Sequence, residues 1–190
     1  LPGIAHGGSL GRETTAALDT VLGAVDFMEI GNTHLYSIDL WYRLLNCGFH
    51  LPPAAGTDLP NYPARDFWQP FLGGMRMFAR VGDQRDFASW KDAVKAGRVF
   101  ITSGPIIGLK INGRELGETV HLPAGGGEIE IEAEAASPVG LRALELVLHG
   151  KVLPLQPEQS VVDGVHRWRL SHRLHITEST WIAARCRGEP

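Results

Sequence analysis

The chain has 190 residues, of which 44% are hydrophobic, and a formal net charge of −3. This composition is typical of one large or two small globular domains. No basic run could follow a phosphate backbone, so nucleic-acid binding is not expected, and no apolar stretch approaches the roughly 18 residues that a membrane span requires.

The first half of the chain alternates helix and strand patterns. In order, the sequence predicts a helix at 14–22, a strand at 25–30, a helix at 35–47, a short strand ending at Asp58, a strand at 75–81, a helix at 86–96 and a strand at 99–102. Gly48 and Gly97 stand where the second and third helices should end. This rhythm predicts a largely parallel sheet or barrel segment covered by helices. The apolar, Pro-rich segment at 59–74 predicts a packed lid.

The second half has almost only strand patterns. Residues 128–135 alternate acidic and apolar side chains, which indicates a strand with one buried and one wet face. Asn112-Gly113 predicts a tight hairpin turn. Together with strands predicted at 144–148, 168–174 and 181–186, these features favour a β-sandwich. We therefore expect an α/β domain at 1–104 and a β-sandwich domain at 105–190.

Acidic and imidazole side chains lie at the predicted ends of strands in the first half. In α/β folds the carboxyl ends of parallel strands form the functional face. His6 and Asp58 are therefore predicted metal ligands. Glu29, near the end of a neighbouring strand, is predicted as a third ligand or as a carboxylate that orients one.

Two further side chains are candidates for catalysis. Arg76 would stabilise developing negative charge or bind an anionic substrate, and His34 would act as a proton shuttle. Each candidate has a simpler alternative. His6 could bond a backbone carbonyl, Asp58 could cap a turn, and Glu29 could make a pairing contact. His34 could start a helix, and Arg76 could form an ion pair.

Four segments resemble a known family when they are taken in this order. They are the stretch 23–27, the helix 40–49, the turn Gly56-Thr57-Asp58 and the run 96–105, Ala-Gly-Arg-Val-Phe-Ile-Thr-Ser-Gly-Pro. The chain resembles the carbaryl-hydrolase-type (CehA/McbA-like) branch of the polymerase-and-histidinol-phosphatase (PHP) superfamily of metallohydrolases. The resemblance implies the C-terminal half of a distorted PHP-type α/β barrel, with His, Asp and Glu ligands at the strand ends. The strand-rich tail resembles the β domain that follows the catalytic part in that branch.

The chain departs from the superfamily pattern in two places. It lacks the opening His-x-His strand, and it has Asp58-Leu59-Pro60 where the superfamily commonly has Asp-x-His. The first departure fits a missing N-terminal half, as does a chain that begins at Leu1 rather than at a methionine. The second removes one ligand, so that a mononuclear site and a degenerate one both fit.

The resulting expectation is a metal-dependent hydrolase. It would use water, activated by Zn²⁺, Mn²⁺ or Fe²⁺, to cleave an ester, amide, carbamate or phosphoester bond in a small-molecule substrate. The alternative is a non-catalytic scaffold with a degenerate metal site and a sandwich that binds a glycan or a protein. The sequence indicates neither the oligomeric state nor the cellular compartment. Its two widely separated cysteines, Cys47 and Cys186, are predicted to be buried thiols.

Overall fold

The computed structural model describes residues 1–5, 13–31, 38–57 and 73–189, with the backbone alone at 13 and 14. The chain divides into two compact units, Leu1–Ser103 and Gly104–Pro190. The described residues contain three helices and many strands, so the predicted mixed α/β class is confirmed. Within those ranges the sheets are open, and none of them closes into a barrel.

The first unit alternates short strands and helices. Its elements are β1 (Gly3–Ile4), α1 (Glu13–Val21), β2 (Phe27–Gly31), α2 (Ile38–Asn46), β3 (Pro53–Ala55), β4 (Arg76–Ala79), α3 (Phe87–Lys95) and β5 (Val99–Thr102). Strand β2 lies between β1 and β3, and all three run parallel. Strands β4 and β5 instead pair antiparallel. The expectation of a parallel arrangement is therefore confirmed for β1–β3 and wrong for the last two strands of the unit.

Local sequence explains where the helices stop and start. Gly48 and Gly97 follow α2 and α3 with φ angles of +86° and +72°, a conformation that costs glycine little. Asp86 begins α3 because its carboxylate accepts a hydrogen bond from the Ser89 N–H at 2.7 Å. Each helix has nine residues, and none in the described part of the chain is long and apolar enough to cross a membrane.

The core of the first unit forms where the helices meet one face of the parallel sheet. Met28 and Ile30 of β2 are buried there. The other buried members of this cluster are Ala16 of α1, Leu40 and Leu44 of α2, and Leu51. Trp41 fastens α2 to the chain before β3, since its indole N–H donates to the Leu51 carbonyl at 2.7 Å.

The second unit consists of two antiparallel sheets. Its strands are β6 (Ile106–Ile111), β7 (Arg114–Glu115), β8 (Gly127–Ser137), β9 (Leu141–Leu148), β10 (Lys151–Val152), β11 (Glu158–Val162), β12 (Val165–Ile176) and β13 (Ile182–Gly188). One sheet has the order β11-β12-β8-β6-β7, and the other has the order β10-β9-β13. Asn112 and Gly113 join β6 to β7 with φ angles of +50° and +72°, which confirms the predicted tight turn.

The two sheets share one hydrophobic core. The inward residues of β8, which include Ile129 and Ile131, are buried, whereas the glutamates between them are exposed. The core also contains Leu144 and Leu146 of β9 and Leu170 of β12. The period-two alternation at 128–135 therefore correctly indicated which face of β8 is buried.

The cysteines do not both behave as expected. Both are free thiols, and Cys186 is partly buried beside the core of the second unit, but Cys47 is exposed. Helix α2 ends at Asn46, so Cys47 lies in the turn that follows it rather than on the buried helix face. The prediction of a buried thiol at position 47 is wrong for this reason.

Candidate functional site

The carboxyl ends of β1, β2 and β3 lie together at one end of the parallel sheet. We call this end of the sheet the sheet edge. Ile4 at the end of β1 is in register with Met28, and Ala55 at the end of β3 is in register with Gly31 at the end of β2. The Gly56 N–H donates to the Gly31 carbonyl at 3.2 Å and extends the pairing past the end of β3. This edge is where the sequence predicted ligands.

Glu29 lies on the face of β2 that is turned away from α1 and α2. It stands between Met28 and Ile30, whose side chains are buried against α1 and α2, and successive side chains of a strand point to opposite faces. Glu29 itself is half-buried. Its carboxylate is therefore positioned away from the hydrophobic core, although a strand otherwise rich in apolar residues carries it.

The Glu29 carboxylate reaches across to the segment that follows β3. A Cβ atom built on Gly56 would stand 3.5 Å from Glu29 Oε1, which is ordinary van der Waals contact. Oε1 of Glu29 therefore lies close to Gly56, on the side from which a side chain would project, and Asp58 is two positions further along the chain. Of the predicted ligands, Glu29 is the one within the described residues, and it is the middle residue of β2, two before the end of that strand.

The end of β2 is closely covered from the β4–β5 side. A Cβ atom on Gly31 would stand 2.9 Å from Met75 Cε and 3.2 Å from Ile101 Cδ1. A larger residue at position 31 would push these two side chains aside, because a 2.9 Å approach is closer than real Cβ contacts. The glycine thus allows β5 and the residue before β4 to pack against this edge.

Thr57 forms hydrogen bonds with the residues that follow the segment 58–72. Its hydroxyl accepts a hydrogen bond from the Gly73 N–H at 3.3 Å and donates to the Met75 carbonyl at 3.5 Å. The chain therefore leaves and returns at nearly the same place, beside Gly56. Sequence reasoning did not single out Thr57, although its position between a strand end and a long Pro-rich segment is a signal that could have identified it.

Arg76 lies away from Glu29. It pairs in register with Thr102, whereas Met77 pairs with Ile101. Since Ile101 contacts Gly31, the alternation of side chains places Arg76 on the opposite face of the β4–β5 pair. Arg76 is exposed there, and its guanidinium carbon lies 5.9 Å from the centre of the Phe78 ring. The structure therefore does not bring Arg76 and Glu29 together.

The remaining predicted site residues, His6, His34 and Asp58, lie outside the described residues. Among the residues that are described, no group of three or more His, Cys, Asp or Glu side chains is arranged to hold a metal ion. Glu29 is among these described residues, whereas the other two predicted ligands, His6 and Asp58, are not. Glu29 and Gly56, with Thr57 beside them, are thus the described part of the candidate site.

Comparison with known proteins adds no relative. No family model matches the chain, and neither a curated protein nor a solved structure matches it.

Proposed function

We propose that this chain is part of a PHP-type metal-dependent hydrolase. In this proposal the first unit is the C-terminal half of the distorted barrel, and the two sheets of the second unit form the β-sandwich that follows it. The observation that carries the proposal is the position of Glu29. This half-buried carboxylate lies on the face of the parallel sheet opposite α1 and α2, two residues before the end of β2, and its Oε1 lies close to Gly56.

The positions of His6 and Asp58 in the sequence support placing the proposed site at the same sheet edge. His6 follows the last residue of β1 by two positions, and Asp58 follows the last residue of β3 by three. Because β1 and β3 flank β2 in parallel, the carboxyl ends of all three strands lie at the same end of the sheet, which is where ligands bind in open α/β sheets.

The chemistry of these side chains fits a borderline divalent cation. Imidazole nitrogen and carboxylate oxygen are ligands that suit Zn²⁺, Mn²⁺ and Fe²⁺. In the proposal His6 and Asp58 bind the cation, while Glu29 binds it or orients one of the other two through a hydrogen bond. A cation held there would make a water molecule acidic near neutral pH and would polarise the ester, amide, carbamate or phosphoester oxygen under attack.

The protein residues around the edge have separate tasks in this proposal. His34 follows the end of β2 by three positions and would move a proton between the site and solvent. Thr57 would hold the two ends of the segment 58–72 beside the substrate. Arg76 is left out, because it lies on the other face of the β4–β5 pair.

Metal analysis of the full-length protein tests the proposal. We expect bound Zn, Mn or Fe after purification without chelator, and hydrolysis of a p-nitrophenyl ester or phosphate that chelator abolishes. His6→Ala and Asp58→Ala should lose the metal, and Glu29→Gln should weaken its binding by about 10- to 100-fold. Asp83→Asn is the matched control, since this exposed aspartate lies in the same unit but away from the sheet edge.

Two results would end the proposal. The first is a full-length protein that retains no metal and cleaves neither substrate, which would favour the scaffold alternative. The second is metal content in His6→Ala and Asp58→Ala that equals that of Asp83→Asn.

A further inference from the structure

The outer face of the five-stranded sheet carries charges in rows that cross the strands. Side chains that are paired in register lie side by side on one face. Near one end of the sheet, Glu128 pairs with His175 at 3.0 Å, and Glu130 pairs with Arg173 at 3.4 Å. In these rows each carboxylate has a basic neighbour on the next strand.

The pattern changes at the other end of the sheet, in two adjacent rows. One row runs Gly108, Glu134, Arg169 and Glu158, so that the arginine has a glutamate in register on each neighbouring strand. The next row runs Ile106, Ala136, Arg167 and Ser160. Arg167 thus has no carboxylate beside it in its own row.

Arg167 also lacks a partner elsewhere. It is exposed, and its guanidinium makes no ion pair or hydrogen bond with any residue in the described ranges. Its backbone carbonyl accepts the Ser160 hydroxyl at 3.3 Å, which holds β11 against β12 at this row. A positive charge is therefore presented to solvent from a backbone that is fixed by pairing on both sides.

Two hollows lie beside this arginine. One, of about 150 Å³ over β6 and β8, is lined by Ala136, by Ile106, which is 49% exposed, and by Glu134, whose side chain lies over Gly108. A second hollow of about 240 Å³ lies over β11, and Arg167 and Arg169 line both. The first hollow combines the apolar side chain of Ile106 with Arg167 and Arg169, and Glu134 also lines it.

We propose that this hollow binds a small carboxylate that has an apolar end. The carboxylate accepts two hydrogen bonds from the planar fork of Arg167, a geometry that suits guanidinium and carboxylate. The apolar end lies over Ala136 and against Ile106, where it removes hydrocarbon surface from water. Glu134 and Glu158 repel ligands of higher negative charge, which favours a monoanion over phosphate.

The site lies wholly within the second unit and does not depend on the proposed hydrolase activity. Its openness to solvent predicts a weak ligand, with a dissociation constant on the order of millimolar. Benzoate is a suitable probe because it joins one carboxylate to one apolar ring. Benzamide has the same shape without the charge.

Titration of the ¹⁵N-labelled chain with benzoate, followed by NMR, tests the site. We expect shift changes centred on β6, β8 and β12, about tenfold weaker binding of benzamide, and about tenfold weaker binding of benzoate by Arg167→Gln. Arg173→Gln is the matched control, because Arg173 lies on the same strand and face but is paired with Glu130. Ala136→Leu provides a second variant, since its larger side chain fills the hollow and leaves every charge in place.

Loss of binding in Arg167→Gln and Ala136→Leu, with retention in Arg173→Gln, supports the site. Equal weakening by Arg167→Gln and Arg173→Gln would show a general charge effect and overturn the proposal. Benzamide binding as well as benzoate, phosphate binding more tightly than benzoate, or shift changes confined to the first unit would overturn it too.

Discussion

Truncation of Ile131 tests the register on which the second unit depends. Ile131 is fully buried in the middle of β8, between the exposed residues Glu130 and Glu132. Ile131→Ala removes three carbon atoms, which corresponds to about 2.4 kcal/mol at 0.8 kcal/mol for each buried methylene group. The cavity left behind increases the expected loss of unfolding free energy to about 3–4 kcal/mol.

Ile106→Ala is the matched control, because it makes the same substitution in the same sheet at a side chain that is 49% exposed. Half of the surface is already in water and no closed cavity forms, so the expected loss is about 1 kcal/mol. In thermal unfolding followed by far-UV circular dichroism, the midpoint should fall by about 10 °C for Ile131→Ala and about 3 °C for Ile106→Ala.

The comparison can refute the assigned register. A shift of β8 by one residue would expose Ile131 and place Glu130 and Glu132 in the core. Equal or reversed midpoint changes in the two variants would therefore show that the pairing of β8 with β6 and β12 is misassigned. Glu132→Ala provides a second check, because an exposed glutamate should change the unfolding free energy by less than about 0.5 kcal/mol.

Two further predictions concern groups with shifted pKa values. The hydrogen bond from the Ser89 N–H lowers the pKa of Asp86 below its ordinary 3.8, so the stabilisation of α3 is present above pH 3.8 and is lost as the pH falls through the lowered value. The thermal midpoints of Asp86→Ala and the parent chain should therefore differ at pH 7 and converge in acid, and a constant difference would contradict this. Burial raises the pKa of Cys186 to about 11, so iodoacetamide at pH 8 should alkylate exposed Cys47 first. Peptide mass spectrometry that found equal rates would be the contrary result.

The strand-rich half could be predicted largely from local pattern. The alternation that begins at Glu128 indicates both the strand and its buried face, since one side of β8 lies on the core. The same rule missed β11, the edge strand Glu158–Val162. All five of its residues are exposed, so no core selects apolar residues at alternate positions.

The direction of pairing could not be predicted from the helix and strand rhythm of the first unit. A helix between two strands is typical of parallel pairing, yet α3 connects β4 and β5, which run antiparallel. The face on which Arg76 lies could not be predicted either. Its face depends on the register with Thr102, which is a long-range contact rather than a property of the local sequence.

For the candidate site too, local sequence predicted some features and not others. That Glu29 points away from the helices follows from its buried neighbours Met28 and Ile30, which the sequence shows. That its carboxylate lies close to Gly56 requires β2 and β3 to be adjacent, and no local pattern specifies which strands pair. The sequence therefore predicted the orientation of Glu29, whereas its proximity to Gly56 depends on the sheet topology.

The hydrogen bonds of Thr57 join the described residues on either side of the segment 58–72. Because Thr57 and Gly73 are joined directly, the frame around the sheet edge does not depend on how many residues run between them. Doubling the length of a flexible closed loop adds only about 0.6 kcal/mol of entropic cost. Changes in the number of residues between 59 and 72, which leave Asp58 in place, should therefore cost the pairing of β2 with β3 little stability.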